Sequence, residues 1–233
     1  MNIAIIPARG GSKRIPRKNI KEFCGRPMIT WSIKAAQESG LFERIVVSTD
    51  DNEIREIALA QGAEAPFRRP PELSDDHTPT IPVIRHAVEW LVKHQQPVKF
   101  VCCIYATAPF LQPRFLRAGI ELLMRNRSTQ FVFSVTSFNS PIFRAIKLGT
   151  SNEVSMFWPE HELTRSQDLP QAFHDAGQFY WGTVDAWRKC DTICSSKSGA
   201  IVLPQHLVQD IDSNEDWLCA ELMQKVFQKL PNV

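Results

Sequence analysis

The chain has 233 residues, 43% hydrophobic and 22% charged, a composition that supports a packed core and excludes a disordered tail or a fibrous repeat. A formal net charge of +2 argues against a protein that binds nucleic acid over its whole surface. No apolar run approaches the roughly 20 residues of a bilayer-spanning helix, and basic residues follow the short apolar opening where a secretion signal would carry a small-residue cleavage site, so no membrane partner and a cytoplasmic location are expected.

Residues 2–8 are a short apolar run ended by Pro and Gly, which predicts a buried strand. Between Arg9 and Arg26 lie seven basic residues against one acid, Glu22, a net +6 that leaves −4 for the rest of the chain. One cationic segment on a mildly acidic body points to a compact anionic ligand. A helix is predicted over 28–39, with Ile29, Ile33 and Ala36 on one face and Gly40 as its stop. Residues 44–49 are β-branched and apolar, a second strand, and 52–61 read as a helix ended by Gly62. Thr78-Pro79 has the form of an N-cap and a first-turn proline, and Ile81, Ile84, Val88 and Leu91 follow at helical spacing. A third strand covers 100–105, and a fourth covers 131–136. Between them Pro113 opens a helix that turns Leu116, Ile120, Leu123 and Met124 inward. Repeated βαβ units with near-continuous apolar strands predict a mainly parallel sheet covered on both faces. The expected fold class is α/β, a three-layer αβα sandwich in a single domain over residues 1–233.

Residues 138–180 break this rhythm, being rich in Pro, Phe, Trp and polar residues. They read either as an irregular insertion packed on its own body or as an arm that reaches a partner subunit. Regular structure resumes at 183–189, 200–203 and a C-terminal helix over 213–230. The six cysteines lack metal-ligand spacing, and reduced, buried thiols are expected.

Chemistry concentrates at two places. The loop after the first strand contains Ala8, Arg9, Gly10, Gly11, Ser12, Lys13, Lys18 and Asn19. Ligands of open parallel sheets sit at the carboxyl ends of strands, where this loop begins. Two glycines let the backbone approach a phosphate, Ser12 can donate to it, and Arg9, Lys13 and Lys18 neutralise it. Neither the Walker A ending nor a G-x-G-x-x-G fingerprint is present. The second place is Asp210-Ile211-Asp212, whose carboxylates share a side at extended spacing. They read as ligands of Mg²⁺ or as acids near a helix N-terminus, and the basic loop favours the metal. Asp50-Asp51, between strand and helix, reads first as a cap.

With those residues quoted, the chain resembles the acylneuraminate cytidylyltransferases, the CMP-sialic acid synthetases. The likeness rests on Ile6-Pro7-Ala8-Arg9-Gly10-Gly11-Ser12-Lys13, Pro16-Arg17-Lys18-Asn19, Val47-Ser48-Thr49-Asp50, Arg69-Pro70, Thr107-Ala108-Pro109, Leu169-Pro170-Gln171-Ala172-Phe173 and Asp210-Ile211-Asp212. Tyr105-Ala106 before Thr107, the run from His174 to Gly182, and the run from Arg68 to Asp76 look like the pseudaminic acid branch. The resemblance implies a Rossmann-like nucleotidyltransferase with CTP and a nine-carbon acidic sugar as substrates. By the same likeness Arg9, Ser12, Lys18 and Asn19 bind triphosphate, with Arg69 also at the nucleotide. Asp210 and Asp212 hold Mg²⁺, and Arg9, Lys18 and Asp212 carry the chemistry. Tyr105, Thr107, Arg165, Gln171, Asp175 and Gln178 are candidates for the sugar pocket, with Arg165 matching a carboxylate unless it is a surface ion pair. The family's dimers use an arm corresponding to 138–180, so a homodimer is implied. N-acetylneuraminate or legionaminate are alternative acids. A non-catalytic nucleotide-binding module is the alternative of another class, with no aromatic-basic RNA motif in its favour.

Overall fold

In the computed structural model, which describes residues 1–94 and 97–229, the elements in chain order begin with β1 (Asn2–Pro7), the two-residue strands β2 (Glu22–Phe23) and β3 (Arg26–Pro27), and α1 (Met28–Ser39). Next come β4 (Arg44–Ser48), α2 (Asn52–Ala60), α3 (Thr80–Lys93), β5 (Phe100–Ile104), α4 (Pro113–Arg125) and β6 (Phe131–Ser137). The chain continues through β7 (Ile146–Leu148), β8 (Val154–Met156), β9 (Phe173–Thr183), α5 (Val184–Lys189), β10 (Ser198–Val202) and α6 (Asn214–Lys229). Leu230, the anticipated last residue of the final helix, lies outside the described residues.

Alternation along the apolar strands sends successive side chains into two different cores. Ile3, Ile5, Val46, Val101 and Cys103 face Ile84, Val88 and Leu91 of α3 and Trp187 of α5. Ala4, Ile6, Val47, Cys102 and Ile104 face Ile29 and Ile33 of α1, Ile54 of α2 and Leu116 and Ile120 of α4. The sandwich is therefore three-layered. Its sheet runs β10-β6-β9-β5-β1-β4, with β1 parallel to β4 and β5, and β10 parallel to β6. Gly40 ends α1 in the left-handed region at φ 66°, where a side chain would be strained.

Several expectations need correction. Residues 173–180 are not part of an irregular arm: they belong to β9, which lies antiparallel between β5 and β6 in the middle of the sheet. Polar residues from His174 to Gln178 hide its pattern, and its register against β6 shifts between Phe133 and Val135. Pro79, not Thr78, occupies the N-cap of α3, because the Thr78 hydroxyl and N–H both donate to Asp75 Oδ1. Met124 is 55% exposed rather than inward. Only Cys102 and Cys103 are buried; Cys24 and Cys190 are half-buried and Cys194 and Cys219 exposed, all six as free thiols. What remains of the irregular stretch carries the β7–β8 hairpin and short 3-10 turns, with Leu148, Val154, Phe157 and Leu163 exposed.

A third cluster joins the chain's ends. Ile15 and Phe23, just after the basic loop, pack with Phe110, Leu207, Ile211 and Trp217. The Phe23 and Trp217 rings meet edge to face at 5.5 Å. Full burial of such side chains contributes about 1.5–3 kcal/mol each. With Ile211 anchored there, its two flanking aspartates are carried to the basic loop.

Candidate active site

The loop leaves β1 with the Ala8 N–H donating to the Ser48 carbonyl, 2.9 Å, so it emerges at the carboxyl edge of the sheet. The Gly10 N–H then donates to Asp50 Oδ1 at 3.1 Å. A Cβ at Gly10 would lie 2.5 Å from Asp51 Oδ2, so only glycine fits, whereas Gly11 has open space around it. Asp51 is fixed: it caps α2 by accepting the Ile54 N–H, and it receives both Nη atoms of Arg17 at 2.5 and 3.0 Å. The Arg17 bonds hold the Asp51 carboxyl below the usual carboxylate range. Arg17, which also pairs with Glu53, thus fastens the loop rather than facing a ligand.

Arg9 and Lys18, by contrast, point inward. Arg9 pairs with Asp76 at 2.7 Å and donates to the Asp75 carbonyl, and its own carbonyl accepts from buried Asn19 at 2.9 Å. Lys18 donates to the Ile211 carbonyl at 2.6 Å and to Asp212 Oδ1 at 3.2 Å. Arg9, Ser12, Lys18, Asn19 and Arg69 line one cavity of about 250 Å³. Arg69 is only 4% exposed; its Nε donates to Ser74 Oγ, while its Nη2 lies 3.6 Å from Asp50 and has no hydrogen-bond partner. Burial lowers the Arg69 pKa and Asp50 opposes that shift. A buried guanidinium N–H without an acceptor on the wall of a cavity is a donor available to a ligand.

A larger cavity of about 610 Å³ shares Tyr105 and Thr107 with the first. Asp175, Tyr180, Thr136, Gln205 and Asp210 are among its walls, and no Lys or Arg is. The Tyr180 hydroxyl donates to Asp175 Oδ2 at 2.8 Å, and the Tyr105 and Thr80 hydroxyls share a hydrogen bond of 2.7 Å. Burial pushes both phenols above their ordinary pKa, so they remain neutral.

The structure thus gathers Arg9, Ser12, Lys18, Asn19 and Arg69 in one cavity and Tyr105, Thr107, Asp175 and Asp210 in its neighbour. It separates the rest. Lys13 is exposed and does not line the first cavity, although its partner Asp76 does. Gln178 is buried, and its amide donates to the Leu207 carbonyl at 2.5 Å, tying β9 to the segment before α6. Arg165 is exposed and pairs with Asp168 at 2.7 Å. Gln171 lies in a separate hollow beside Phe138 and Pro170. Residue-by-residue reading took Asp50 with Asp51 as a cap, a role that Asp51 alone fills, and passed over Asp76 and Tyr180. For Asp50 the signal was its place at a strand end beside a residue already occupied as a cap.

Asp210 and Asp212 suit Mg²⁺. Partial desolvation, then the Asp212 charge, raises the Asp210 carboxyl, a repulsion that a cation would relieve. Asp216 is committed instead to the turn before α6, accepting the Ser213 N–H and hydroxyl at 2.8 Å each. Among the described residues no three His, Cys, Asp or Glu side chains converge on a metal position, so two carboxylates would leave the remaining coordination to water and phosphate, as Mg²⁺ prefers.

A family profile described as Cytidylyltransferase matches residues 3–189, and the chain belongs to that family of nucleotidyltransferases. The chain is similar to pseudaminic acid cytidylyltransferase of Campylobacter jejuni, 48% identical over 97% of each chain. N-acylneuraminate cytidylyltransferase A of Danio rerio is 36% identical over 94% of this chain and 49% of its own length. In fold it resembles a CMP:2-keto-3-deoxy-manno-octonic acid synthetase solved with CTP, at a TM-score of 0.68 and 16% identity, covering 98% of this chain and 99% of that one.

Proposed function

We propose that this chain transfers CMP from CTP to the anomeric hydroxyl of pseudaminic acid, releasing pyrophosphate, in the cytoplasm. The observation that carries the reading is the junction of two unlike cavities at Tyr105 and Thr107, one rich in cations and one lined by hydroxyls and carboxylates. The similarity to the Campylobacter enzyme supports the choice of acid.

In this reading Arg9, Ser12, Lys18 and Asn19 bind the triphosphate, and Arg69 offers its unpartnered N–H to the nucleotide. The sugar hydroxyl, held in the larger cavity, attacks the α-phosphorus, and pyrophosphate leaves in line. Arg9 and Lys18 stabilise the charge that gathers on the leaving group, so catalysis is mainly positioning and electrostatics. Asp210 and Asp212 would hold Mg²⁺, which supplies charge neutralisation at the phosphate oxygens and a lower pKa for the attacking hydroxyl.

The substrate is a carboxylate, and the larger cavity has three acidic walls, Asp175, Asp210 and Asp216, with no Lys or Arg. A cation must therefore come from elsewhere. The exposed apolar residues of the 138–172 stretch, with Leu163 at 94% exposure, support a homodimer in which that stretch reaches the second copy and brings Arg165 with it. Leu148→Glu would then yield a monomer by light scattering and lose turnover.

Pyrophosphate release with CTP and Mg²⁺ tests the reading, comparing pseudaminic acid, legionaminate and N-acetylneuraminate at equal concentration. Turnover selective for pseudaminic acid is expected. Turnover only with another acid would overturn the substrate assignment, and CTP binding without turnover of any acid would overturn the enzymatic one.

A further inference from the structure

Two kinds of ion pair hold the cations of the basic loop. Arg17 is fastened inside the α2 cap by Asp51, whose carboxylate is itself committed to a backbone N–H. Arg9 and Lys13 are held differently. Both reach one exposed carboxylate across the mouth of the smaller cavity, Asp76, with Arg9 Nη1 at 2.7 Å from Oδ1 and Lys13 Nζ at 2.5 Å from Oδ2. One carboxylate thus bridges the two cations as a phosphate group could, one oxygen to each.

The turn that presents Asp76 is built for this. Asp75 Oδ1 accepts the N–H groups of His77 and Thr78, at 3.0 and 2.7 Å, and the Thr78 hydroxyl at 2.6 Å. Upstream, Ser74 Oγ donates to the Pro70 carbonyl and accepts from Arg69 Nε at 3.1 Å. The same segment therefore anchors a site residue at one end and offers an internal anion at the other. Exposed pairs of this kind are weak and screened by salt, so a polyphosphate can displace the carboxylate, whereas the Arg17 clasp stays closed.

We infer that Asp76 is an exchangeable counter-anion of the reaction: it neutralises Arg9 and Lys13 when no phosphate does, yields them to the triphosphate, and reclaims them as pyrophosphate departs. This rests on the nucleotide reading of the smaller cavity. Its consequence is a uniform weakening of every ligand that needs those cations, product included. A site of unopposed cations would hold pyrophosphate and slow each cycle; the returning carboxylate opposes that.

The test compares wild type, Asp76→Asn and Asp76→Glu in binding titrations with CTP, pyrophosphate and cytidine in EDTA, where no turnover occurs. Asp76→Asn should tighten CTP and pyrophosphate by a common factor of about three to ten, the range set by one or two exposed ion pairs, and leave cytidine, which has no phosphate, unchanged. Product inhibition by pyrophosphate should strengthen by the same factor in the turnover assay, and Asp76→Glu should stay near wild type. Weaker or unchanged CTP and pyrophosphate binding in Asp76→Asn would overturn the proposal, because Asp76 would then be positioning the cations rather than competing for them. Tighter cytidine binding would also overturn it. Failure of wild type to bind CTP at all would overturn the nucleotide reading itself, and the proposal with it.

Discussion

Replacing Asp50 tests the electrostatic design of the smaller cavity directly. Asp50 Oδ1 accepts the Gly10 N–H at 3.1 Å and lies 3.6 Å from Nη2 of Arg69. Asp50→Ala leaves that guanidinium, 4% exposed, with no countercharge, and frees the glycine loop at its tightest point. Stranding a buried charge costs about 3–5 kcal/mol, and losing a hydrogen bond to a charged group about 1.5–3 kcal/mol. The Asp50 side chain is 30% exposed and its contact with Arg69 is long, so the loss falls well below the sum of these ranges, at about 2 kcal/mol in all. For a chain of this length that lowers Tm by about 4–8 °C. Asp50→Asn keeps an acceptor for Gly10 while removing the charge, and should lose about half as much. Urea unfolding, with the slope checked for constancy, gives the stabilities. Steady-state kinetics should show KM for CTP rising about tenfold in Asp50→Ala, the equivalent of 1.4 kcal/mol, and less in Asp50→Asn. Wild-type midpoint and KM in Asp50→Ala would refute the reasoning, since Arg69 would then need no partner.

Gly10→Ala should weaken CTP binding and cost about 1–3 kcal/mol, because its Cβ would meet Asp51, which Arg17 and the α2 cap prevent from moving. Gly11→Ala, with open space around it, should leave the unfolding midpoint unchanged. Asp212→Ala should lower turnover by at least two orders of magnitude with circular dichroism unaltered, and EDTA should silence wild type likewise; normal turnover across a range of Mg²⁺ would remove the metal assignment. His86 is held below its ordinary pKa by burial and then by the Arg69 charge. The unfolded chain therefore binds the proton first as pH falls below about 6.5, and folded stability declines there. His86→Gln should flatten that slope in urea titrations between pH 7 and 5.

Much of the architecture was legible because burial leaves a local trace. The unbroken apolar run of Ile3 to Ile6 and the helical spacing of Ile29, Ile33 and Ala36 are properties of neighbouring residues, and each was read correctly from them. The density of cations after β1 was likewise legible without any contact being known, and two of them, Arg9 and Lys18, line one cavity. The β9 strand was not legible, because half of its length faces the larger cavity and carries the polar residues that a cavity wall needs.

By itself, then, the sequence determined the αβα layering, the place of the basic loop and the identity of the residue types available for chemistry, since these follow from periodicity and composition over a few residues. Only the tertiary structure decided their employment. Arg17 and Arg9 are the same residue type in one loop, yet one is fastened by Asp51 in the α2 cap and the other faces the cavity, paired with Asp76. Gln178 turned inward to the Leu207 carbonyl, and Lys18 met Asp212 from the far end of the chain. An ion pair depends on a few ångströms of separation and on local burial, and residues distant in sequence acquire both only when the chain folds.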